Sequence, residues 1–482
     1  MKICKFNYFI LLVVFLSFII GGCERSTTEI EPVDELAPEP IDIPGEGSWQ
    51  QFHGDAPNYG IYFVDSDFAY KPKWSLDLGH MILSSPVIDG DHTIYVGNLD
   101  GELIAVHRFG LEKWRLNLGE PVSATPAVSV SGRVYVVTTK EFEDGSYVST
   151  LHSVSSSGVL VRSVPLADNA RTTSSPKLWR SEDNEYVFLF ARYGIFDQTS
   201  LLVYDLFGDL VAYEKFSDCP LVASGNPIWD ALGDVLGLFK DFFDSWPPLE
   251  FDSSGLAYNL YEQVGWLDPT VAIVDAPIFS EDPLVVWADS ACFIAAYRWQ
   301  PPNLTKLWRK KEAQGLLSSP ASIRGSRTVA FGTHSGHVIA YDLLTGDRLW
   351  KTKVKGGAVM ATPASSGLGR PIYVLSHDGS LTALKLSDGD ELNHISIEGL
   401  TIASPALSAD LIYANTTQGL ASISYDFESW AGTGHASGGG IASPAMGPDG
   451  TLYTIVMTDD SALLQAYGGD PVIIPETDVF SE

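Results

Sequence analysis

Two acidic pairs, three histidines and two cysteines have the types and spacing to do chemistry. Asp89-Gly90-Asp91 and Asp388-Gly389-Asp390 offer carboxylate oxygens of the kind that hold Ca²⁺. Each also lies where a turn needs Asp and Gly for backbone reasons, and the turn is the reading adopted here. His334, His337 and His377 could meet at one end of a repeating structure as a metal or ligand site; as loop histidines they need no such role. Cys219 and Cys292 are compatible with a disulfide in an oxidising compartment or with two buried thiols. The ten histidines are scattered. There is no His-Glu-x-x-His helix, no Gly-x-Ser-x-Gly elbow and no Walker-type phosphate loop. The residues supply no catalytic set, no cofactor-binding set and no metal site.

A further cysteine has a different setting. Lys2 and Lys5 precede an apolar run from Tyr8 to Ile20, followed by Gly21-Gly22-Cys23. The run is short for a bilayer span, which needs about 20 residues, but fits a signal-peptide core. Small residues before a cysteine resemble a lipobox. Residues 1–22 are therefore expected to be a lipoprotein signal peptide, with Cys23 lipidated and the lipid as the sole membrane anchor. Residues 23–48, rich in acids and Pro, read as a disordered tether. The formal charge is −30; loss of residues 1–22 removes two lysines and takes it to −32. Such a chain is repelled by phosphates, which argues against nucleic acid as a partner.

A repeat organises the rest. A small or hydroxyl residue, Pro and usually an apolar residue recur at Pro86, Pro126, Pro176, Pro277, Pro320, Pro363, Pro405 and Pro444. The spacings are 40, 50, 101, 43, 43, 42 and 39 residues. A period near 40 is that of a four-stranded propeller blade. A β-branched or aromatic run follows each copy, as in Ile94-Tyr95-Val96 and Ile372-Tyr373-Val374. A Gly turn, a third run and a second turn come next. Trp114 and Trp350 each stand four residues past a turn glycine, and Trp308 has a similar setting.

These features predict an all-β chain: an eight-bladed β-propeller of four-stranded blades over 49–470, with a C-terminal tail at 471–482. A lone blade cannot bury its two apolar faces, whereas a ring of blades can. The last unit has three strands, so the strand around Trp74 is expected to close the ring against Leu463 to Tyr467. Trp74, Trp114, Trp308 and Trp350 are assigned to inter-blade packing. The spacing of 101 is read as a partly helical insertion, 218–275, between blades three and four. Within it Trp229, Leu232, Leu236, Phe239, Phe243 and Trp246 share one helical face. That face either packs on its own propeller or docks a partner protein.

The Pro unit, the Tyr-Val strand, the Gly turns and the Trp together are similar to the PQQ-like (pyrroloquinoline-quinone) propeller repeat. The stretch from Trp49 to Gly60 resembles the leader that often precedes such repeats. The resemblance implies one of two activities. The family includes quinone-dependent dehydrogenases, which use adjacent disulfide-bonded cysteines, a Ca²⁺ site and an Asp base. It also includes non-catalytic lipoproteins, among them the propeller subunit of the outer-membrane β-barrel assembly machinery. This chain has no adjacent cysteine pair. The expectation is a non-enzymatic, lipid-anchored scaffold without cofactor. It would bind protein partners in the bacterial cell envelope, at the outer membrane on its periplasmic or surface side. The alternative is a quinone-dependent enzyme, or a propeller binding a small molecule or glycan.

Overall fold

The computed structural model describes residues 49–468, apart from 217–267 and short segments at 65–70, 80, 143–146, 182–183, 194–197, 276–279, 281, 289–292, 313–317, 334, 368, 433–439, 441 and 459–460. Cys23, the tether, Cys219, Cys292, His334, the Trp229–Trp246 stripe and the tail lie outside the described residues.

Eight antiparallel sheets are found among the described residues, and each is one propeller blade. Blades one to seven occupy 87–117, 127–165, 177–216, 272–311, 321–353, 364–396 and 406–432. Blade eight joins 445–467 to Trp74–Asp77. The closing strand pairs antiparallel with Ala462–Tyr467, Trp74 opposite Ala466 and Asp77 opposite Leu463, so both ends of the propeller share one sheet. In blade six the innermost strand shrinks to a single bridge, Ala364 to Tyr373. A single 3₁₀ turn, Ala167–Asn169, is the helical content of the described residues.

The gradient across each blade follows from stacking. Second strands such as Thr93–Gly97, Leu284–Ala288 and Leu452–Met457 are buried throughout. They lie between neighbouring blades, so both faces must be apolar and β-branched or aromatic residues fill them. Outermost strands are partly exposed and carry charge, as in Glu112–Asn117 and Arg348–Lys353.

Blade four begins earlier than its nearest Pro unit suggests. Its innermost strand is Ala272–Val274, paired with Leu284–Ala288. The repeat unit is therefore Pro269-Thr270-Val271, not Pro277. The hydroxyl residue and the proline are swapped, and Val271 holds the position that proline holds in the other blades. The stretch 218–275 is thus too long for the insertion, because 268–274 belong to blade four.

Candidate functional site: the central channel, its plug and the outer edge

The repeat unit places one hydroxyl per blade around the channel axis. The amide of Ser85 donates to Thr125 Oγ1 at 2.9 Å, that of Thr125 to Ser175 Oγ at 3.0 Å, and that of Ser175 to Thr270 Oγ1 at 3.2 Å. Thr270 N–H donates to Ser319 Oγ at 2.8 Å. After a gap, Thr362 donates to Ser404 at 3.0 Å, Ser404 to Ser443 at 2.9 Å, and Ser443 back to Ser85 at 3.0 Å. The missing joint, from Ser319 to Thr362, adjoins the blade whose innermost strand is a single bridge. Seven of the eight joints are thus bonded, the one from Ser443 to Ser85 across the ring closure included.

Above this ring is a cavity of about 100 Å³. Its rim residues stand two positions before the ring hydroxyls: Ser123, Thr173 and Asp268 on one side, Leu83, Met360 and Ile402 on the other. Asp268 is ion-paired with Arg192, and their side chains are 4% and 2% exposed. Its second oxygen accepts the Thr173 amide at 3.0 Å, and its own amide donates to Thr173 Oγ1 at 2.7 Å. Two opposite charges this deeply buried are tolerable only as a pair with further hydrogen bonds.

The other end of the channel is plugged by the leader. Each innermost strand is a sheet edge, so alternate amides point away from the blade, and buried amides require acceptors. The leader supplies them in blade order. Ile88 donates to the Trp49 carbonyl and Val128 to that of Gln50, both at 2.8 Å. Leu178 is held both ways by the Gln51 side-chain amide. Ile273 donates to Ala56, Ser322 to Pro57, Ser365 to Tyr59 and Leu407 to Gly60. Seven blades are tied by one segment, which turns at His53 and Asn58 with positive φ.

Two titratable groups fix the plug. Lys177 replaces the small apolar residue found at this position in most blades, and its ammonium donates to the carbonyls of Phe52 and Asp55. Burial pulls its pKa down to about 7, against the opposing pull of Asp55. His53 is buried with Nδ1 3.0 Å from the Asn58 carbonyl and Nε2 3.0 Å from that of Pro405 in blade seven. Burial lowers its pKa to about 4. Phe52 thereby becomes part of the cavity lining.

The four tryptophans lie between blades in one geometry. The indole N–H of Trp74 donates to the Arg108 carbonyl, Trp114 to Ser156, Trp308 to Leu343 and Trp350 to Leu386, at 2.8–2.9 Å. Each acceptor lies in the outer turn of the next blade. Each ring lies against that turn's glycine: Gly110, Gly158, Gly346 or Gly389.

The acidic turns are accounted for by backbone and side-chain partners. Asp89 accepts the amides of Asp91 and Thr93 and the Tyr95 hydroxyl. Asp388 accepts from Asp390 N–H, Lys385 and Ser387. His337 meets Ser335 Oγ and His377 meets the Thr401 carbonyl, each through Nδ1 at 3.0 Å. Among the described residues no three His, Cys, Asp or Glu side chains are placed to hold a metal ion. Among the described residues the cavity lining offers one carboxylate, already paired, and no side-chain amide. It is also smaller than the roughly 300–1,000 Å³ of ordinary ligand pockets. These residues do not fit a quinone with its calcium ion.

Two outermost strands are exposed along nearly their whole length, Leu160–Pro165 of blade two and Glu391–Ser396 of blade six, and the first carries an apolar run. Val159, Leu160 and Val161 form that exposed run, and Phe207 and Leu210 are exposed on blade three.

Blade number and strand order define the class: this chain is an eight-bladed β-propeller. Residues 266–426 match the family model described as outer membrane protein assembly factor BamB. No curated protein matches the chain. Among solved structures, a europium-containing methanol dehydrogenase aligns with a TM-score of 0.61 at 13% identity, covering 88% of this chain and 98% of that one. BamB from Moraxella catarrhalis aligns at 0.54 and 11%, covering 82% and 99%. Quinohemoprotein alcohol dehydrogenase from Comamonas testosteroni aligns at 0.60 and 12%, covering 90% and 82%. Identities this low establish the fold, which enzymes and a non-enzyme share.

Proposed function

We propose that this chain is a non-catalytic scaffold of the bacterial cell envelope. In this reading it is anchored by lipid at Cys23 and binds protein partners during outer-membrane protein assembly. The observation that carries the reading is the outer strand of blade two. An exposed strand with an apolar run and an unpaired backbone edge invites addition of a partner's strand. The outer strands of blades one, four and five carry three or four charges each, against Arg162 alone in blade two, and charge is the usual protection of such edges. The channel supports the same reading, since its residues do not suit a quinone.

The test has two parts. A photo-crosslinking residue at Leu160, in cells with the natural envelope, should capture a discrete partner. Val161→Lys should abolish capture while leaving the melting temperature unchanged. Equal capture from a control position on blade five would remove the blade-two assignment. Cys23→Ser should release the protein from membranes or leave it unprocessed. A purified native protein carrying a quinone chromophore would overturn the non-catalytic reading.

A further inference from the structure

We propose that the hydroxyl ring on the channel axis is a binding site for a small oxyanion, of the carboxylate, sulfate or phosphate type. The ring residues are each at least nine-tenths buried and line the cavity. Seven of the eight hydroxyl oxygens accept a backbone N–H from the neighbouring blade. None has a protein acceptor for its own O–H within hydrogen-bond reach among the described residues. A buried hydroxyl proton without an acceptor is costly, so these protons must be given to whatever occupies the cavity.

The bonding pattern also selects the occupant. An oxygen that accepts an N–H has one lone pair committed, and its O–H is polarised into a stronger donor. Repeated around the axis, this makes a ring of donors. Such a ring suits a ligand with several acceptor oxygens better than a cation, which needs lone pairs turned inward. The rim carboxylate does not oppose this, because Asp268 is neutralised by Arg192. The apolar half of the rim, Leu83, Met360 and Ile402, leaves room for a short hydrocarbon part beside the anionic group.

The experiment uses the full chain. Crystals are soaked in selenate and, separately, bromoacetate, and anomalous density is sought on the axis. Calorimetry follows sulfate and acetate. Saturable binding and an axial anomalous peak are expected; a dominant peak from one soak separates a free inorganic anion from a carboxylate source. Thr125→Val with Thr270→Val should weaken binding at least tenfold. That variant also removes ring acceptors, so Ser123→Leu, which narrows the rim and keeps every ring hydroxyl, is measured alongside and should weaken binding similarly. An axis holding only water, or anion binding unchanged in both variants, would overturn the proposal.

Discussion

The indole of Trp74 lies against Gly110 and its N–H donates to the carbonyl of Arg108. The strand that completes blade eight is thereby latched to blade one. A Cβ on Gly110 would stand 2.7 Å from the Trp74 ring, and the φ of +80° is itself unfavourable for a side chain. Trp74→Ala should destabilise by roughly 2 kcal/mol, below the full core range because the ring is only half-buried. Gly110→Ala should cost a similar amount. In the double variant the clash is gone and only the backbone strain remains, so the losses should fall short of additive. Urea unfolding of the four proteins checks this; strict additivity would mean that the ring does not rest on the glycine.

Asp268 and Arg192 form a pair that neither residue can leave alone. Asp268→Asn or Arg192→Met should each cost about 3–5 kcal/mol, because a buried charge is left unpaired. The double variant should recover a large part of that loss. Thermal unfolding of the three variants reads the coupling directly.

Lys177 makes stability depend on alkaline pH. Its folded pKa, about 7, lies below the value of an exposed lysine. Between those values the unfolded chain binds more protons than the folded one, so stability rises as pH increases from about 7 toward 10. Below pH 7 both states are protonated and the full penalty applies. Lys177→Met should remove this rise, seen as a shallower slope of unfolding free energy against pH than in the parent.

His53 and His152 act on the acid side. Burial holds both near pKa 4, below the ordinary 6.5, so their contribution is present above pH 6.5 and lost as pH falls toward 4. Glu185 opposes them: burial raises it to about 7, so its ionisation weakens the fold as pH rises through 4.5 to 7. The net acid dependence of the parent is therefore muted. His53→Gln should lower the acid sensitivity between pH 6.5 and 4, measured as the change in urea midpoint across that interval.

The propeller was legible in sequence because its punctuation is local. Proline cannot donate an N–H, and it recurs where the chain enters the innermost strand in seven of the eight blades. The buried second strands declare themselves by β-branched and aromatic runs such as Ile372-Tyr373-Val374. Blade four escaped this reading because Val271 stands where proline was sought, and Pro277 lay close enough to substitute for it. The hydroxyls before each proline were visible as repeat markers. That they bond from blade to blade around the axis becomes visible only in the folded ring. The role of the leader was hidden for a related reason. Most of its bonds to the blades, from Ile88 to Leu407, run through backbone carbonyls, which no residue type advertises. Buried polar residues at positive φ, His53 and Asn58, were the available signal. The pairing of Arg192 with Asp268 spans 76 positions and leaves no periodic trace.

The leader that plugs the channel also sets a clock on folding. Residues 49–64 bond to successive blades as far as Ala409, and Trp74–Asp77 waits for a strand ending at Tyr467. The N-terminal segments of the propeller are thus among the last to find their places. Contacts this distant in sequence are slow to form, and early blades would meanwhile present open faces to any sticky neighbour. The chain cannot fold vectorially from its beginning. The leader can take its place only once the final blade has been delivered.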